Sequence, residues 1–173
     1  MGSGIATACI LAGLPVTLVE TTVEAAEKAY LAVSKNLDGA VKRGKMSDAA
    51  RAAADLTTTT EYEALSEADV VIEAVFESMD VKRQVFDQLD RVMKDGAVLA
   101  TNTSYLDVNE IAAGTKRPED VIGLHFFSPA HVMRLLEVVV ADRTSAEVAA
   151  TGFALGKKLK KIAVRSGVCD GFI

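Results

Sequence analysis

"MGSGIATACILAGLPVTLVE", residues 1–20, decides the fold. Its first dozen residues follow a helix pattern with Gly2 and Gly4 crowded at the start, and "PVTLVE" (15–20) is a short β-branched run that ends on Glu20. Dinucleotide folds use this order: glycines let backbone approach a pyrophosphate at a helix N-terminus, and an acid at the next strand end accepts from ribose hydroxyls. Two glycines alone fit equally well a helix of small residues packed close to a neighbour. The rest of the chain has to separate the two.

Working outward, short Val/Ile-rich runs alternate with helical patterns. "ADVVIEAV" (68–75), "GAVLATN" (96–102) and "DVIGLHFF" (120–127) are continuous, apolar and bounded by turn residues, the pattern of buried strands. Val23, Ala26, Tyr30, Val33, Leu37 and Val41 form one apolar stripe of a long helix that Gly44 breaks. A second helix is expected from about Asp80 to Met93, with Val81, Val85, Leu89 and Val92 on one face and Ser78 as its N-cap. "TSAEVAATGFALGKKLKK" makes a third, opening on Thr144 or Ser145. Strands alternating with helices mean βαβ units, so the expected fold is α/β, a Rossmann-like, mostly parallel sheet with flanking helices. Ligands in such sheets sit beyond the carboxyl ends of the strands. Those ends carry Glu20, Ala74 to Glu77, Asn102 to Ser104, and His125.

The bulk properties narrow the function. The 173 residues carry a net charge of −5 with pI near 5.1, which leaves no broad basic field for nucleic acid. Cys9 and Cys169 show no metal or redox spacing, so no metal is expected and both are read as reduced. No apolar run approaches the roughly 18 residues of a membrane span. The start lacks the basic residues of a signal peptide, and a reducing, intracellular compartment is expected.

One stretch demands chemistry. "GLHFFSPAHVMRLLEVV" (123–139) holds His125 and Glu137 among aliphatic and aromatic neighbours. Buried charge is costly unless paired, so these two either satisfy each other or serve a reaction. A lone histidine is ordinarily a core residue bonded to backbone; a glutamate partner at a strand end changes that balance.

The segments "MGSGIA", "VTLVE", "ADVVIEAVFESMDVKRQVF", "LATNTSYL", "GLHFFSPAHVMRLLEVV" and "GVCDGFI" together resemble the NAD-binding domain of L-3-hydroxyacyl-CoA dehydrogenases, closest to the form in multifunctional fatty-acid oxidation proteins. The resemblance runs over the whole chain. It implies NAD as cofactor, an acyl-CoA as substrate, and oxidation of L-3-hydroxyacyl-CoA to 3-oxoacyl-CoA. By the same resemblance His125 is the general base, Glu137 its carboxylate partner, Ser104 the hydroxyl that meets the substrate 3-oxygen, and Asn102 a neighbouring amide at both substrate and cofactor. Gly2, Glu20, Ala74, Val75, Glu77 and Lys82 match cofactor-side positions, and Glu20 favours NAD because a carboxylate repels a 2′-phosphate.

Several of these residues keep ordinary alternatives. Ser104 and Asn102 could cap a helix ahead of "LDVNEIA", and Lys82 could be a solvated lysine of an exposed helix. Lys42, Arg43 and Lys45 complement a helix C-terminus without any ligand, or draw in coenzyme A phosphates, with Arg43 the substrate-side residue. His131 is expected on the surface without a partner. Ser128 stands where many single-function relatives carry asparagine, which leaves contacts at that position open.

The family pattern begins earlier, with a strand and two more glycines, and continues past Ile173 into a helical domain. The resemblance therefore implies one NAD-binding domain over residues 1–173, incomplete at the N-terminus, with the first strand and the C-terminal helical domain missing. Such a chain is expected to turn over far more slowly than the longer form, for which a homodimer is expected. The compartment implied is bacterial cytoplasm, on the alanine-rich composition, or peroxisome or mitochondrion in a eukaryote. Two other readings stand beside this one: a non-catalytic fragment, and a dehydrogenase of small 3-hydroxy acids that would use a lysine base.

Overall fold

The computed structural model describes residues 1–172; Ile173, the last residue of the "GVCDGFI" motif, lies outside them. The packing forms two compact units, Met1–Ala64 with Ser128–Met133, and Leu65–Phe127 with the chain from Arg134 onward.

The first unit begins with helix α1 (Gly2–Leu11), strand β1 (Val16–Val19) and the long helix α2 (Val23–Lys42). Thr22 caps α2 by accepting from the Ala25 amide, and Gly44, at φ +66°, ends it. The face that α2 buries carries Ala26, Ala29, Val33, Leu37 and Ala40, while Val23 and Tyr30 of the expected stripe face solvent. Small residues on the buried face let α2 lie close to α1, with Ala6, Ile10, Leu18, Val33 and Leu37 as the core. A short helix, α3 (Asp48–Ala52), leads into strand β2 (Leu56–Thr59), which pairs parallel to β1.

The second unit is a five-stranded sheet of β3 (Val70–Glu73), β4 (Val98–Thr101), β5 (Val121–Phe126), β6 (Leu135–Val139) and β7 (Ile162–Ser166), in that spatial order. All neighbours are parallel except β5 and β6, which run antiparallel. Helix α4 (Met79–Val92) joins β3 to β4, and α5 (Val108–Ala113) lies between β4 and β5. Helix α6 (Ala146–Lys158), capped by Ser145, joins β6 to β7. Strand β4 is buried along its whole length, as expected for a strand covered on both faces.

The covering helices take opposite faces of β5. A Cβ on Gly123 would meet Val108 of α5, while a Cβ on Gly152 of α6 would meet Ile122, Leu124 and Val138 at 3.1–3.3 Å. Side chains alternate along a strand, so His125 shares the face of Gly123. Glu73, Thr101 and Gly123 are register partners across β3, β4 and β5, and therefore lie in one row on that same face.

The stripe of α4 departs from the expected one. Lys82, Phe86 and Leu89 are its deepest residues, and Val81, Val85 and Val92 are only half-buried. Ser78 occupies the N-cap position without a side-chain bond to the helix. Strands β2 and β7 and helix α3 are not foreseen by the sequence pattern.

Candidate active site

His125 and Glu137 stand directly opposite each other on β5 and β6. That register explains why two polar groups separated by an eight-residue connection meet: cross-strand partners project to the same face within side-chain reach. The His125 Nδ1 lies 2.5 Å from the Glu137 Oε2. Glu137 is 1% exposed and the histidine side chain 14% exposed, so the pair is buried at the carboxylate and open at the ring. A carboxylate only accepts, which puts a hydrogen on Nδ1; in the neutral imidazole the second nitrogen, Nε2, is then the acceptor. Phe127 and Phe172 pack on the imidazole, with ring centroids 4.5 and 5.9 Å away. Glu137 is no edge residue: β7 pairs on the far side of its strand.

The ends of β3 and β4 carry a second polar cluster. Glu73, a residue that the sequence reading passed over, is 4% exposed and fully engaged. Its carboxylate accepts from the Val75 amide at 2.7 Å, the Thr101 hydroxyl at 2.7 Å and the Lys82 ammonium at 2.9 and 3.1 Å. Lys82 is completely buried, not a solvated helix lysine, and also reaches the Glu77 Oε2 at 3.0 Å. The other oxygen of Glu77 accepts from the Thr103 hydroxyl at 2.5 Å, the Ser104 amide at 2.7 Å and the Ser104 hydroxyl at 3.3 Å. Burial pushes the Glu77 carboxyl up, but the Thr103 hydroxyl, the Ser104 amide and the Lys82 ammonium outweigh it and leave the group below the ordinary glutamate value.

These contacts remove the capping alternative for Ser104 and Asn102. The cap of α5 is Asp107, which accepts from the Asn109 amide, and Thr103 holds the Leu106 amide. Asn102 instead accepts from the Phe126 amide at 2.8 Å, which ties the end of β4 to the residue after His125. Ala74 is half-buried and Val75 exposed in the turn between β3 and α4, beside Phe76, which is 77% exposed.

Gly2, Glu20 and Arg43 belong to the first unit. A Cβ on Gly2 would meet nothing within 4 Å, so the start of α1 faces open space. A Cβ on Gly4 would touch Ala130 at 3.3 Å, so this second glycine serves close packing. Glu20 follows β1, with its amide bonded to the Thr59 carbonyl; among the described residues its carboxylate has no ion-pair partner. An open helix start and a carboxylate just past the end of the next strand are the residue types that suit the pyrophosphate and ribose of a dinucleotide. Arg43 lines a groove of about 580 Å³ with Lys35, Asn36, Lys42 and His131. The surface assignment of His131 is thus corrected: it is half-buried in this groove and engaged by a neighbour.

The sheet order and strand-end side chains define a Rossmann-like, nucleotide-binding class of domain. The chain belongs to the family described as the 3-hydroxyacyl-CoA dehydrogenase NAD-binding domain, whose model matches residues 1–169, and its cofactor is NAD. It is 42% identical over 174 residues to the peroxisomal fatty acid beta-oxidation multifunctional protein MFP2 of Arabidopsis thaliana, covering 99% of this chain and 24% of that protein. It is 41% identical over 175 residues to the 3-hydroxybutyryl-CoA dehydrogenase of Clostridioides difficile, covering 100% of this chain and 62% of that one. Among solved structures it is similar to FadB2 of M. tuberculosis, with TM-score 0.95 and 40% identity over 100% of this chain and 62% of that chain. The chain thus spans about a quarter of the multifunctional relatives and 62% of the shorter ones.

Proposed function

We propose that the protein carries the NAD-binding, proton-accepting half of an L-3-hydroxyacyl-CoA dehydrogenase. The observation that carries this reading is the His125–Glu137 pair, buried at the carboxylate and open at the imidazole. Nε2 takes the proton of the substrate 3-hydroxyl, and Glu137 stabilises the imidazolium that results and fixes the ring orientation. Bound NAD supplies the hydride acceptor. The Ser104 hydroxyl, held by Glu77 only through a 3.3 Å bond, is free to turn toward the substrate oxygen. Asn102 keeps its NH₂ group for a ligand while its carbonyl secures β5.

The groove at the end of α2 is the proposed site for the coenzyme A phosphates. Lys35, Lys42 and Arg43 outweigh its single carboxylate, Asp38, which already pairs with Arg51 at 2.8 Å. Glu20 is proposed to receive the adenosine ribose, with Gly2 at the pyrophosphate and Ala74, Val75 and Glu77 on the nicotinamide side. The names of the relatives, which include 3-hydroxybutyryl-CoA dehydrogenases and beta-oxidation proteins, support a place in acyl-CoA metabolism. Bacterial cytoplasm is the compartment that the alanine-rich composition and the Clostridioides difficile relative favour. The peroxisomal relatives support the alternative. No helix among the described residues is long and apolar enough to cross a membrane. For the longer form we propose a homodimer, on the family resemblance.

The test is reduction of acetoacetyl-CoA by NADH under single-turnover conditions, with the chain in excess. His125→Ala is expected to slow the step roughly 10²–10⁴-fold. Turnover unchanged in His125→Ala would remove the histidine base and favour the small-acid reading with its lysine.

A further inference from the structure

We propose that Phe172 is a positioning residue for His125: the turn Cys169–Phe172 sets its ring against the imidazole and fixes the imidazole plane, and with it the direction of Nε2. The inference rests on the dehydrogenase reading above and assigns this residue a task within it. The bond from Nδ1 to the Glu137 carboxylate anchors one atom of the imidazole. It leaves the plane loosely set, because the terminal torsion of a histidine is broad and packing has to choose the angle. Two phenylalanines supply that packing. Phe127 lies two residues beyond His125, on the same side of an extended chain, with its centroid 4.5 Å away and its plane tilted by 44°. Phe172 comes from the segment that follows β7 and meets the imidazole edge-to-face, at 5.9 Å and 63°.

The backbone around Phe172 is built for this contact. Phe172 has φ +61°, in the left-handed region that a bulky residue rarely adopts. Its amide donates to the Cys169 carbonyl at 3.1 Å, and its carbonyl accepts from the Cys169 thiol at 2.9 Å. Gly171, at φ +72°, stands at the second central position of the turn, where a type II turn requires a positive φ.

Burial alone does not account for this arrangement. Apolar burial is non-directional and asks for no unusual backbone. Phe172 is 6% exposed, yet it reaches that burial through a conformation disfavoured for its type. What the conformation secures is a fixed contact with the proton acceptor. Proton transfer demands hydrogen-bond geometry between base and substrate, so an imidazole that wavers in its plane loses rate.

The experiment reads the His125 ring by ¹H–¹⁵N NMR and the single-turnover reduction of acetoacetyl-CoA by NADH, on the full chain. The chain has two histidines, so His125→Ala identifies the signals concerned. The variants are Phe172→Leu, which keeps apolar bulk without the ring, and Gly171→Ala. A Cβ on Gly171 would meet nothing within 4 Å but would strain the turn at its positive φ, so this variant displaces the ring without crowding it. Both are expected to broaden the His125 ring signals and to slow the step at saturating substrate roughly ten-fold or more. The half-saturating concentration of acetoacetyl-CoA should stay within about two-fold, since a ring that only orients the base adds nothing to substrate binding. Should Phe172→Leu fail to fold, Gly171→Ala carries the same test. Folded variants whose His125 signals stay as sharp as in the wild type, or that react at the wild-type rate, overturn the proposal. So does a loss confined to the half-saturating concentration, which would make Phe172 a substrate contact. A wild-type chain that reduces no acetoacetyl-CoA would count against the dehydrogenase reading, and the ring signals would still decide the positioning role.

Discussion

His125 and Glu137 work as a unit because each solves the other's burial. Glu137 sits at 1% exposure on an inner strand, where a carboxylate without a partner would carry a heavy desolvation penalty. The imidazole Nδ1 meets it at 2.5 Å, and the histidine side chain is 14% exposed. Glu137→Gln keeps the shape and an acceptor oxygen but removes the negative charge that balances the imidazolium. Turnover of acetoacetyl-CoA with NADH is expected to fall roughly a hundred-fold or more. The Gln variant should remain folded by circular dichroism, so the loss is chemical.

At the scale of elements, the groove at the end of α2 is proposed to bind the coenzyme A phosphates, and Arg43 carries the test of that role. Arg43→Ala is expected to raise KM for acetoacetyl-CoA about ten-fold with kcat unchanged, the signature of lost uniform binding. The same variant should leave KM for acetoacetyl-pantetheine, which lacks the nucleotide phosphates, where it was. Helix α6 offers a test of packing: Gly152 already sits where a Cβ would crowd Ile122, Leu124 and Val138. Gly152→Val is expected to cost about 1–3 kcal/mol in urea unfolding. The strands of the second unit that position the site were legible because they are continuous Val/Ile runs between turn residues. Strand β2, "LTTT", was not, since one leucine and three threonines, none of them buried, carry little strand signal apart from their pairing with β1. Strand β7 escaped for a related reason: it is an edge strand, mostly exposed, that follows the basic tail of α6. The burial of Lys82 was not legible because a charged residue beside an apolar stripe also reads as the solvated side of a helix, the alternative left open for it. Only the two glutamates around it, brought together by the fold, make its burial possible. Glu73 carried the same signal as Glu137, one acid inside an apolar strand pattern, but its partner Lys82 lies on the following helix and not on a matching strand.

For the whole molecule the same triad couples stability to acidity. Glu77 has a folded value below the ordinary glutamate value of 4.5, so its ionised form stabilises the folded chain. That contribution is complete above pH 4.5 and is lost as pH falls through the depressed folded value. The wild type should therefore lose more stability on acidification than Glu77→Gln, which is the less stable of the two at neutral pH; urea unfolding at stepwise lower pH reads the difference.

The proposal most open to a direct test is that Glu20 receives the adenosine ribose and so selects NAD over NADP. Calorimetric titration of the chain with NADH, with NADPH as the control, tests that claim most directly. Saturable binding of NADH with at most weak binding of NADPH is the result expected, and Glu20→Ala should narrow the gap. Equal affinity for the two nucleotides, or no NADH binding by a folded and monodisperse chain, would contradict it.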